Sequence, residues 1–191
     1  MKKLIRICSL LLLFAGGGSL WGCKAVELED RSFPMLVTVG LSDRKQTQFR
    51  YVFANEWSDI NSYLDYNHLK VVLIEEDFLE EEKKYQDFLA EVQREETFPR
   101  NTYVCVTADA DEISDAGETL AIDVGTYIEN MLQTKERMEK NHLPTVGDLV
   151  DDKENQMRIW KLPVLSVKDG QIAITDYYQI AYGSPSASRE S

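Results

Sequence analysis

The apolar positions fall into short runs broken by polar turns, and the spacing within each run predicts its element. Residues 33–41 (FPMLVTVGL) and 48–54 (QFRYVFA) read as two strands, the second with Phe49, Tyr51 and Phe53 alternating onto one face. Residues 42–46 between them are polar, as a hairpin loop requires. Residues 70–74 (KVVLI) form a continuous apolar run, the pattern of a strand buried on both faces. Asp77 then offers a helix cap, with Glu80 three residues later in capping-box spacing. Phe78, Tyr85, Phe88, Leu89 and Val92 keep a helical period to about residue 95. Pro99 ends that stretch and residues 102–107 return as a strand. Strand, helix, strand predicts a parallel pair joined by a crossover.

A second helix is expected over residues 119–140, carrying Leu120, Val124, Tyr127, Ile128, Met131, Leu132 and Met138 on its apolar side. Pro144 breaks the chain, and Thr145 with Asp148 caps a short helix bearing Val146, Leu149 and Val150. Within residues 163–178, Asp169-Gly170 is a two-residue hairpin turn signal. That turn pairs Val167 with Ile172 and Leu165 with Ile174, placing all four on one face, and a slip of one residue would destroy the segregation. The fold class is therefore mixed α/β: a central mixed sheet, about three flanking helices and a C-terminal hairpin, in one domain over residues 33–182.

The N-terminus reads differently. Lys2, Lys3 and Arg6 precede an apolar core over residues 10–15, too short to span a bilayer core of about 20 helical residues. Residues 1–22 are expected to be a cleavable export signal. An aliphatic residue stands three before Cys23 and a glycine directly before it, in Leu20-Trp21-Gly22-Cys23. This resembles a bacterial lipobox, in which the cysteine is diacylated; the alternative is an ordinary signal with an incidental Cys23. Two acyl chains suffice for stable anchoring where one does not. Membrane lipid is thus the first expected partner, the outer face of a membrane the expected location, and residues 23–32 the tether. Residues 183–191 are small and polar and should form a disordered tail.

Of the 191 residues, 33 are acidic and 21 basic, for a net charge of −12. Losing residues 1–22 removes three basic residues and no acidic ones, leaving −15. Such a body presents no basic face for nucleic acid. Its acidity either holds it off anionic lipid heads or serves solubility alone. With Cys8 in the signal and Cys23 lipidated, Cys105 has no disulfide partner; it reads as a small core residue, the nucleophile reading lacking a positioned base. His68 and His142 show no metal-ligand spacing. Asp109, Asp111, Glu112 and Asp115 follow a strand, where open α/β sheets often bind ligands, but Ile113 and Ser114 break the calcium-loop pattern. That cluster reads as a capping, solvated loop or as a cation site. Phe49, Tyr51, Phe53, Trp57, Trp160, Tyr177 and Tyr178 read as core packing or as a binding stripe. No hydrolase, nucleotide-binding or zinc motif is present, so no catalytic residue, metal or cofactor is expected and the chain reads as a non-enzyme.

Cys23 is followed by Val26-Glu27-Leu28-Glu29-Asp30-Arg31, then Phe33-Pro34 and Val39-Gly40-Leu41. Together these resemble the opening of the Ger(x)C-type spore germination lipoproteins, the C subunits of nutrient germinant receptors. Leu162-Pro163 and the hairpin after it resemble the strand pair near the end of that family's N-terminal domain, with Gly125-Thr126-Tyr127-Ile128 in the expected order. The family's Trp-Asp after the cysteine is Lys24-Ala25 here, and the resemblance covers the first domain only. It implies a membrane-anchored, non-catalytic adaptor whose partners are polytopic receptor subunits, at a cell membrane or spore inner membrane, with Cys23 the one site residue. The alternative is an extracytoplasmic binding lipoprotein for a small solute or cation.

Overall fold

The computed structural model describes residues 31–53, 56–58, 63–95, 98–155 and 159–181. The expected export signal, Cys23, all but the end of the tether, and the tail lie outside the described residues. Seven strands form one mixed sheet: β1 (Leu36–Leu41), β2 (Thr47–Phe53), β3 (Glu56–Ser58), β4 (Val71–Glu75), β5 (Tyr103–Thr107), β6 (Ile159–Lys168) and β7 (Gln171–Ala181). Their order across the sheet is β3-β2-β1-β4-β5-β6-β7. The centre is parallel, β1 to β4 to β5 to β6, and the two flanks are antiparallel. The parallel strands read as continuous apolar runs because helices cover both sheet faces.

Side chains alternate between two cores. Val37, Val39, Val72, Ile74, Val104 and Val106 pack on one face against α1 (Glu76–Glu80), α2 (Glu82–Glu95) and α5 (Val146–Asn155). Leu36, Val71, Leu73 and Cys105 pack on the other against α3 (Ala110–Gly117) and α4 (Val124–Glu139). The largest interior side chains, Phe78, Ile113, Ile128, Leu132 and Leu162, are fully buried. Each contributes about 1.5–3 kcal/mol by leaving water.

The hairpin forms in the expected register, Val167 with Ile172 and Leu165 with Ile174. Asp169 and Gly170 both take positive φ, 51° and 75°, as the tight twisted turn demands. A bulge interrupts the ladder between Val164 and Leu165, where Thr175 has no opposite residue. Beyond it the parity of β7 reverses. Ile172 packs with the α3–α4 core, and Tyr178 and Ile180 pack with the other. The sequence pattern carried no sign of this bulge.

Three helix expectations need correction. The helix for which Asp77 was the expected cap starts at Glu76, so Asp77 lies within its first turn; β4 runs into it without a loop, and Glu75 stands at the cap position making no side-chain capping bond. It also breaks at Glu81, whose carbonyl then accepts from Lys84 and Tyr85 to open α2. The helix expected from residue 119 starts at Val124, where the Asp123 carboxylate accepts from the Thr126 N–H at 2.7 Å. Five α-helical segments flank the sheet among the described residues, against about three expected.

Candidate functional site

The acidic cluster after β5 is not a loop. Asp109 caps α3, accepting from the N–H groups of Asp111 at 2.9 Å and Glu112 at 3.0 Å, and Ala110 and Ile113 are buried beneath. Asp111 turns away to pair with Arg50. The described residues contain no group of three or more histidine, cysteine or acidic side chains placed to hold a metal ion. Asp109→Ala should therefore cost about 1 kcal/mol, read as a lower urea midpoint, with or without added calcium. Cys105 is fully buried, and burial pushes its thiol far above the ordinary range, leaving it inert.

A concavity lies on the other face, along the C-terminal half of α2. One hollow of about 530 Å³ is lined by Val92, Phe98, Arg100, Val146, Val150 and Asp151. A second, of about 170 Å³, adjoins it through Val92 and Phe98 and is walled by Phe49, Tyr51, Tyr66 and Phe88. Together they form a trough with a mixed-polarity end and an aromatic end, the larger hollow within the size range of ligand sites.

The sequence builds this trough from distant pieces. Gly147, near the start of α5, donates its N–H to the Arg100 carbonyl at 2.8 Å. A Cβ at Gly147 would stand 2.9 Å from that oxygen, so glycine lets the two backbones close. The Arg100 guanidinium then lies along α5 and meets Asp151 at 2.5 Å. Both side chains are mostly exposed, so the pair contributes at most about 1 kcal/mol and its role is to shape the rim. At the aromatic end the Tyr66 hydroxyl donates to Tyr51 at 3.1 Å, and burial followed by that bond pushes the Tyr66 phenol up. Tyr66 meets Phe98 edge-on at 5.0 Å.

Of the aromatic stripe named from sequence, Phe49 and Tyr51 line the trough. Trp160 and Tyr178 pack on the same core, and Tyr177 on the opposite one. The side chain of Trp57 lies outside the described residues. Tyr66, Phe98, Arg100 and Gly147 were missed; the only local signal was Pro99 after an aromatic residue.

A second polar cluster marks the carboxyl ends of β1 and β4. Arg50 donates to Glu75 and to Asp111, joining β2, β4 and α3. Glu75 lies across Gly40, where an added Cβ would collide with its carboxylate. Burial raises the Glu75 carboxyl above its ordinary value, Arg50 pulls it down, and Asp77, Asp111 and Asp109 push it up again. This cluster is a latch between layers.

The fold is a mixed α/β sheet between two helical layers, with an open trough along one of them. Residues 58–167, more than half of the chain, match the family described as Spore germination protein N-terminal domain. The chain belongs to that family, and its role is in spore germination. The match takes in most of the trough, including Tyr66, Arg100, Gly147 and Asp151. No curated protein and no solved structure matches the chain.

Proposed function

We propose that the chain is a lipid-anchored, non-catalytic adaptor of a germinant receptor, held at the outer face of a membrane by an acylated Cys23. The family match over residues 58–167 carries the reading. The Leu20-Trp21-Gly22-Cys23 segment supports the anchor, and no described helix is long and apolar enough to cross a membrane. In this reading residues 1–22 are removed, residues 23–32 are the tether, residues 33–182 are the domain and residues 183–191 the tail. Polytopic receptor subunits in the same membrane are the partners.

The test is acylation and membrane partition in cells. The native chain should incorporate labelled palmitate, lose residues 1–22 and sediment with membranes. Cys23→Ala should abolish labelling and shift most of the protein to the soluble fraction, because its remaining contacts lack the two-chain hydrophobic hold. Unlabelled native protein, or a variant that stays equally membrane-bound, would overturn the anchor.

A further inference from the structure

His142 sits where α4, β5 and α5 converge, and both of its ring nitrogens face carboxylates. Nδ1 lies 3.1 Å from Glu136 near the end of α4, and Nε2 lies 2.8 Å from Asp148 in the first turn of α5. Neither carboxylate is idle. Glu136 also accepts from the Tyr103 hydroxyl and from the Leu143 N–H, each at 2.7 Å. Asp148 accepts from the N–H and hydroxyl of Thr145 at 2.9 and 2.6 Å, closing the cap of α5. Between them Pro144 gives its carbonyl to the Val104 N–H at 3.0 Å. The turn leaving α4 begins with Lys140 at φ 52°, and these polar links, with the buried side chain of Leu143, hold the short segment that follows.

Two acceptors facing one imidazole require two donors. A neutral imidazole has one N–H, and only the imidazolium has two. We propose that His142 is a pH-operated clasp: charged, it ties the end of α4 to the start of α5, and on losing its proton it releases Glu136 and loosens the α5 wall of the trough. The link to Glu136 gives way because the link to Asp148 is shorter. Among the described residues the titratable groups facing the ring are Glu136 from α4 and Asp148 from α5, with Tyr103 of β5 bonded to Glu136 behind it. From β6 comes the Trp160 indole, edge-on at 6.5 Å.

The electrostatics agree with the geometry. The bond to Asp148 outweighs burial and raises His142 above its ordinary 6.5, with Asp148 and Glu136 adding attraction. Burial lifts Asp148, but its bonds from Thr145 and His142 outweigh that and hold it below its ordinary 3.8. The signs follow by linkage. The histidine's contribution is full below its unfolded value and is lost as pH rises through the raised folded one. The aspartate's is full above its unfolded value and is lost as pH falls through the lowered one. The clasp is therefore closed in mildly acidic solution and opens on the alkaline side.

The consequence reaches the trough because α5 supplies Val146, Gly147, Val150 and Asp151 to its wall. The experiment is nuclear magnetic resonance of the exported chain lacking residues 1–22, from pH 5 to 9. The His142 ring nitrogens should titrate above the ordinary histidine value and finish as the neutral form protonated on Nε2. Amide protection at Leu143 should fall about two- to tenfold beyond the intrinsic pH effect, the range for one hydrogen bond. The amides of Gly147 and Asp151 should shift with the same midpoint. In His142→Gln, which has no titrating ring, these changes should flatten while the remaining spectrum is kept. A His142 midpoint at or below the ordinary value would overturn the clasp. So would Gly147 and Asp151 amides that ignore the titration, or a Leu143 profile unchanged by the substitution. If His142→Gln folds poorly, the wild-type ring and amide titrations decide alone.

Discussion

Gly125→Ala should cost the fold about 3 kcal/mol, near the upper end for forcing extra atoms into a packed site. Helix propensity argues the other way, since alanine in a helix interior is favoured over glycine by up to about 1 kcal/mol. The geometry decides between them. A Cβ at Gly125 would stand 2.5 Å from the Met35 carbonyl oxygen and 2.7 Å from its carbon. Both are backbone atoms, and they cannot swing aside. The Met35 carbonyl accepts from the Lys70 N–H at 3.0 Å, and its own N–H donates to Val52 at 3.1 Å. The start of α4 must therefore retreat from the sheet, uncovering Val124 and Ile128, which are buried against it. Gly147→Ala is the comparison: its nearest atom is at 2.9 Å, so its loss should be clearly smaller. Urea unfolding reads both as a lower midpoint at unchanged slope. A stabilised Gly125→Ala protein would mean that α4 does not approach β1 this closely.

Gly125 shows what the sequence could and could not announce. Its run Gly125-Thr126-Tyr127-Ile128 was legible as helix from apolar spacing, but the glycine's purpose depends on Met35, ninety residues earlier. Local signals were read well where the determinant is local. The hairpin register follows from Asp169-Gly170 because two positive φ values and the apolar alternation demand the same pairing. The parallel pair β4 and β5 was legible because both are uninterrupted apolar runs. Helix α3 was missed because its apolar side is short, Ala110 and Ile113 buried with Ala116 half-buried beside them, in a run otherwise read as charge. Its signature was there in Asp109 and Glu112, a cap residue with an acid three positions on. The trough was illegible for a different reason. Phe49, Tyr66, Phe98, Arg100 and Gly147 come from four separate stretches, and nothing in their local pattern states that the sheet will gather them. Likewise, nothing local to Glu75 announces that its carboxylate reaches Arg50, on a strand that joins β4 only by way of β1.

Arg50→Met should lose about 2 kcal/mol at neutral pH, and the loss should shrink in acid. The side chain of Glu75 is only 18% exposed, and among the described residues Arg50 is the cation that acts on a site also feeling Asp77, Asp109 and Asp111. Removing the guanidinium leaves a half-buried carboxylate facing like charges. That costs more than an exposed pair and less than the 3–5 kcal/mol of a fully buried one. Because burial already raises Glu75 in the folded state, its protonated form favours folding. Its contribution is therefore full below the unfolded value, ordinarily 4.5, and is lost as pH rises through the folded one. Without Arg50 the folded value climbs further, so the alkaline loss begins from a greater height and the variant's deficit is larger at pH 7 than at pH 4. A deficit independent of pH would assign the arginine a packing role through its stem. Glu75→Gln supplies the cross-check. Alone it should be mildly destabilising, since Arg50 keeps Asp111; combined with Arg50→Met it should recover much of the neutral-pH loss, because the buried charge is gone with its partner. Gly40→Ala should behave like a weak version of Arg50→Met, since the new methyl displaces the Glu75 carboxylate that the arginine grips. In a double-mutant cycle the two substitutions should then fall short of additivity, the second finding the latch already sprung.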